Sequence, residues 1–161
     1  MKTLRTDRGG EFIYKSFLNY CKEQGINRQL TIRHTPQQNG VAERKNRTIV
    51  EMARSMLKGK ELPNSFWAEA VSSVVYILNQ SPTKAVRDKT PFEAWHGRKP
   101  VVSQLKVFGC IAYSLVPAQN REKFDEKGEK LIFVGYSDES KGYRLIDPTT
   151  SQLVISRDVI F

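Results

Sequence analysis

The chain has 161 residues, 39% of them hydrophobic and 27% charged, the balance of a soluble globular protein of one compact domain or a small domain with part of another. No apolar run approaches the ~20 residues of a membrane helix, and the opening "MKTLRTDRGGEF" lacks a signal core, so neither a membrane span nor secretion is expected. Cys21 and Cys110 both lie in apolar contexts and read as buried thiols, and without CxxC or paired histidines no structural zinc site is expected.

The net charge of +9 is unevenly spread: residues 1–60 hold thirteen Lys/Arg against five Asp/Glu, and residues 61–161 hold thirteen against twelve. Such an excess in one segment is either a solvated surface or a face toward phosphates.

In chain order, "MKTLRTD" reads as a short strand ending at Asp7 and broken by Gly9 and Gly10. "FIYKSFLNYCKEQG" has apolar residues at helical spacing and Gly25 as its stop, and "INRQLTI" reads as a second strand. "RHTPQQNG" is a loop marked by Pro36 and Asn39-Gly40. A long helix comes next over "VAERKNRTIVEMARSMLKG", with Ala42, Ile49, Met52, Ala53, Met56 and Leu57 as its apolar stripe. At ~100° per residue Arg47, Arg54 and Lys58 fall within roughly 60° of Glu43, three bases around one acid. That face is either laced with salt bridges or turned to an anionic partner.

Beyond it, "FWAEAVSSVVYILNQ" reads as a helix capped by Asn64 or Ser65 and buried on more than one side. "TPFEAWHG" has a capping box in Thr90 and Glu93, Pro91 at the first helical position and Gly97 as stop. From residue 105 the period changes. "LKVFGCIAYSLV", "KLIFVGYS", "GYRLIDP" and "QLVISRDVIF" read as short strands of a small barrel or sandwich, with "PAQNREKFDEKGE" as an exposed loop. Trp67 and Trp95, among apolar neighbours, read as core residues, while His34 and His96 lack a partner at ligand spacing and read as surface.

Asp7 ends a strand before glycines, and Glu43 opens a helix, with thirty-five residues between the two. Two acids on neighbouring rigid elements can share a divalent ion, because Mg²⁺ prefers carboxylate oxygens and keeps positions open for phosphate. Seventeen acids offer many such pairs, so spacing alone identifies nothing.

"LRTDRGGEF" with "HTPQQNGVAERKNRTIVEMARSML" after it resembles the integrase core of copia-type retrotransposons, and "FWAEAV", "TPFEAWHGRKP", "LKVFGCIAY" and "FVGYS" resemble the Pol polyprotein downstream of that core. The resemblance covers essentially the whole chain. It implies an α+β fold: the C-terminal half of a ribonuclease H-like integrase core at residues 1–60, a helical extension at 61–100 and a Src-homology-3-like β-barrel at 105–161. It makes Asp7 and Glu43 the second and third catalytic, metal-binding acids, with Mg²⁺ or Mn²⁺ as cofactor. Gln37, Asn39, Lys45 and Arg47 match the loop and helix start that meet DNA in the family, and the basic helix adds Arg44, Arg54 and Lys58 as candidates for DNA contact. The resemblance also implies DNA as partner, possible oligomerisation and, for a functional product, the nucleus.

The first acid of the family should lie well upstream of Asp7, and only six residues precede it. The expectation is therefore a truncated integrase without strand-transfer activity of its own and with weak or no metal binding. Two alternatives stay open: a non-catalytic DNA- or protein-binding module retained by a host, and an enzyme completed by another chain.

Overall fold

The computed structural model describes residues 2–7, 9–32, 40–137 and 139–161. The chain forms two compact units, Met1–Thr48 and Ile49–Phe161.

In the first unit, β1 (Thr3–Thr6) and β2 (Asn27–Leu30) pair in parallel, Thr3 opposite Asn27 and Thr6 opposite Leu30. Parallel strands need a crossover. It is supplied by two short helices, α1 (Gly10–Ile13) and α2 (Lys15–Glu23). The sequence suggested one helix here. It is interrupted because Tyr14 takes an extended conformation, with ψ at 141°. Gly25 ends the helical stretch as expected, at φ +62°. The Arg28 guanidinium donates to the Phe12 carbonyl and lies 5.5 Å from the Phe17 ring centre, tying β2 to the crossover. Buried residues among those described here are few: Thr6, Cys21 and Thr31.

A long helix, α3 (Gly40–Gly59), contributes its first residues to this unit and the rest to the second. Its apolar stripe is real from Ile49 onward. Ala53 and Leu57 are buried, and Ile49, Met52 and Met56 pack beside them. Ala42 departs from the expected stripe and is exposed.

In the second unit, α4 (Trp67–Gln80) lays Ala70 and Val74 into the same core, and the Ser73 hydroxyl donates to the Val134 carbonyl at 2.9 Å. A Cβ on Gly135 would stand 3.0 Å from the Ser73 hydroxyl, so this contact needs the glycine. Two sequence expectations fail on α4. No side chain caps it, because Asn64–Phe66 forms a 3₁₀ turn whose last residue starts the helix. Nor is Trp67, read as a core residue, in the core: it is 63% exposed. Trp95 on α5 (Pro91–His96), at 83% exposed, is likewise not core. The α5 end signals hold: the Thr90 side chain accepts from the Glu93 amide and Gly97 is left-handed.

Five strands complete this unit: β3 (Ile111–Leu115), β4 (Gly128–Tyr136), β5 (Tyr143–Ile146), β6 (Leu153–Ser156) and β7 (Val159–Ile160). The stretch "LKVFGC" is not strand. Gly109 turns at φ +77° and its amide donates to the Phe133 carbonyl. The sheet order is β6-β5-β4-β3-β7, all antiparallel. That order forces curvature. Five flat strands would put the edges about 19 Å apart. The edge strands β6 and β7 are joined only through Arg157 and Asp158, and Ser156 to Val159 can reach at most about 11 Å. The sheet must therefore curl, and a bulge in β4 between Phe133 and Gly135 helps it bend. Ala112, Leu131, Phe133, Tyr136 and Leu145 fill its inside.

Candidate nucleic-acid interface and carboxylates

Asp7 stands just past the end of β1, exposed, and its Oδ1 accepts the Gly9 amide at 2.9 Å. This turn orients the carboxylate and leaves Oδ2 without a partner among the described residues. Glu43 lies in the first turn of α3, also exposed. No hydrogen bond or ion pair among the described residues links the two.

Carboxylate oxygens are the right donors for Mg²⁺ or Mn²⁺, but two ions in phosphoryl transfer need more than two such groups. Among the described residues no three His, Cys, Asp or Glu side chains converge on one point. The described donor set does not fit a catalytic metal pair.

Arg44, Lys45 and Arg47 are exposed on the part of α3 that belongs to the first unit, and Arg54 and Lys58 on the part that belongs to the second. Among the described residues none of the five forms an ion pair. The salt-bridge-laced alternative is therefore absent from the described structure, even for Glu43 and Arg47, one helical turn apart. α3 carries five basic side chains against two acidic ones. Gln37 and Asn39 lie outside the described residues. The same holds for His34.

Sequence reasoning missed a second concentration of charge. Arg98, Lys99, Lys141 and Arg157 line one cleft of the second unit. They come from three separated stretches of a segment that is nearly neutral overall, so no window of sequence reveals them.

Residues 110–161 match the family model described as the retroviral polymerase SH3-like domain. An uncharacterized mitochondrial protein of Arabidopsis thaliana is 41% identical over 93 residues, 54% of this chain and 76% of that protein. The retrovirus-related Pol polyprotein from transposon TNT 1-94 of Nicotiana tabacum is 48% identical over 161 residues, 100% of this chain. The chain belongs to the retrovirus-related Pol polyprotein family. It spans 12% of the length of the tobacco polyprotein. Among solved structures, a chain of the simian T-cell lymphotropic virus intasome in complex with PP2A regulatory subunit B56 gamma matches this Pol-family chain with a TM-score of 0.50 and 16% identity, covering 98% of this chain and 56% of that one. That likeness concerns fold alone. It agrees with the expected α+β class, and the family match at residues 110–161 agrees with an SH3-like part there. Among the described residues no helix is long and apolar enough to cross a membrane.

Proposed function

We propose that this chain is a piece of a retrotransposon integrase that holds DNA by its phosphates and supplies two of the acids of a strand-transfer site. The observation that carries the reading is α3: its basic side chains are exposed and unpaired among the described residues, in a chain 48% identical to a transposon Pol polyprotein. Arg44, Lys45, Arg47, Arg54 and Lys58 contact phosphates, and Gln37 and Asn39, outside the described residues, are further DNA contacts by family resemblance. Asp7 and Glu43 are the metal-facing acids, and Mg²⁺ or Mn²⁺ is held productively only with a further carboxylate beyond these two. The intact enzyme works in the nucleus and in an oligomer.

The test is fluorescence anisotropy on a duplex of arbitrary sequence across a salt series. With roughly four phosphates neutralised, affinity should fall about a hundredfold between low and physiological salt. Substituting Arg44, Lys45 and Arg47 together by Ala should flatten the slope and weaken binding. An affinity indifferent to salt would sink the reading. In a DNA-joining assay with Mn²⁺ the chain alone should give no product. Product lost on Asp7→Asn and Glu43→Gln would show instead a self-sufficient enzyme.

A second reading, a short non-catalytic module retained by a host, is favoured by the Arabidopsis relative, of which this chain covers 76%. It makes the same salt prediction and differs in expecting no joining even after a chain carrying the remaining acid is added.

A further inference from the structure

The cleft in the second unit has about 800 Å³ of space and is bounded by α4, α5 and, between β4 and β5, Ser137, Ser140, Lys141 and Gly142. Four cations reach it: Arg98, Lys99, Lys141 and Arg157, each exposed. Among the described residues no carboxylate lines it, and none of these four has an ion-pair partner. Like charges gathered without counter-charge repel one another, and an anionic ligand relieves that repulsion.

The floor is aromatic. Tyr76 stacks on Tyr136 with ring centres 3.9 Å apart and planes 16° from parallel. Tyr143 stands beside Tyr136 at 6.1 Å. On the α5 side Phe92 packs against His96 at 4.4 Å, and the Arg98 guanidinium lies 5.7 Å from its ring centre. Hydrogen bonds lock this floor. The Tyr76 hydroxyl accepts from Gln104 Nε2 at 2.8 Å, and the Tyr136 hydroxyl accepts from the Lys106 amide at 3.0 Å. Gln80 also lines the cleft, and its buried Oε1 has no hydrogen-bond partner. Turning that amide toward a ligand would break no bond of the oxygen.

Flat rings beside cations are what unpaired nucleotides need, since bases stack on aromatic faces while phosphates track the positive rim. A base inside a duplex offers no free face, and a simple polyanion gains nothing from the rings. We propose that this cleft binds an unpaired stretch of nucleic acid, with a base against the Tyr76, Tyr143 and Phe92 rings and neighbouring phosphates on Arg98, Lys99, Lys141 and Arg157. This site is separate from the phosphate contacts proposed along α3 and stands whether or not those exist.

The experiment uses the full chain carrying Arg44→Ala, Lys45→Ala and Arg47→Ala, which weakens the other proposed contact. Fluorescein-labelled oligothymidylate is titrated by anisotropy, beside oligouridylate to separate DNA from RNA and a duplex of equal length. Lys141→Ala with Arg157→Ala, both exposed and so harmless to folding, should weaken the single strand about tenfold. Phe92→Leu, which keeps apolar bulk and removes the ring, should weaken it about fivefold and leave the duplex unchanged. Equal loss for duplex and single strand on Phe92→Leu would overturn the proposal. So would displacement by polyglutamate or inorganic polyphosphate at equal charge, which would point to an acidic protein segment or to bare charge. No response to either set of substitutions would overturn it as well.

Discussion

The two units solve the problem of burial differently. In Ile49–Phe161 the sheet curls on itself and seals Leu131, Phe133 and Leu145 inside, while Ala70 and Val74 of α4 close a second core against its outside. In Met1–Thr48 the sheet has two parallel strands among the described residues, and Ile13, Tyr20, Ile32 and Val41 are all more than half exposed. Parallel sheets are normally covered on both faces, and unpaired strand edges invite further pairing. The lesson is that the second unit carries its own stability, whereas the first is shaped for burial that its own residues do not provide.

The largest effect that would break this comparison comes from Phe133→Ala. Phe133 is 1% exposed and touches Tyr136, Tyr143 and Phe161 by its ring edges. The truncation should destabilise the second unit by about 3–5 kcal/mol in a denaturant titration. Hydrogen exchange should show the reciprocal contrast: amides of β4 and β5 protected close to the global limit, those of β1 and β2 exchanging through cheaper local opening. Equal protection in both sheets would remove the distinction between the units.

A smaller effect concerns high pH. Burial raises the Tyr136 hydroxyl above the ordinary value of 10.0, against a lesser lowering by the Lys106 amide. Burial raises Tyr143 as well. A value raised in the folded state means that the unfolded chain loses its proton first. The stability these groups confer is complete below pH 10 and declines as pH rises through the folded values. Urea midpoints from pH 8 upward should therefore hold and then fall for the second unit. Tyr136→Phe should flatten the fall, with a lower plateau because the Lys106 amide loses its acceptor. A flat profile for the native chain would mean that Tyr136 titrates normally.

What sequence could reveal split along the same division of labour. Local chemistry was readable: Thr90, Pro91, Glu93 and Gly97 delimit α5, Gly25 stops α2, and Ile49 to Leu57 mark one buried face of α3. The SH3-like strands were readable from their β-branched and aromatic runs. Features that depend on distant partners were not. Trp67 and Trp95 sit at apolar positions of their helices, yet both remain mostly exposed. Tyr14 breaks a helix that periodicity would have continued. Asp7 and Glu43 were legible only through the family resemblance, since neither is buried or paired in a way that sets it apart from the other acids. The cleft of Arg98, Lys141 and Arg157 was invisible because tertiary folding, not the sequence interval, brings those residues to one place.

The smallest expected effect sharpens the comparison from within the second unit. α5 has six residues, too few to be stable alone, so its start depends on the bond from the Glu93 amide to Thr90 Oγ1 at 3.1 Å. Thr90→Ala removes that acceptor and should cost about 1 kcal/mol. Thr90→Ser keeps the hydroxyl and should restore most of the loss. Because the barrel core of Phe133 and Leu145 includes no residue of α5, the loss should appear as faster exchange of α5 amides, with the denaturant midpoint of the unit barely moved. Phe92 would then be held less firmly, so single-strand binding should weaken slightly while duplex binding does not. If Thr90→Ala instead lowered the midpoint as much as Phe133→Ala, α5 would be part of the cooperative core, and the barrel would not be the self-sufficient element of this unit.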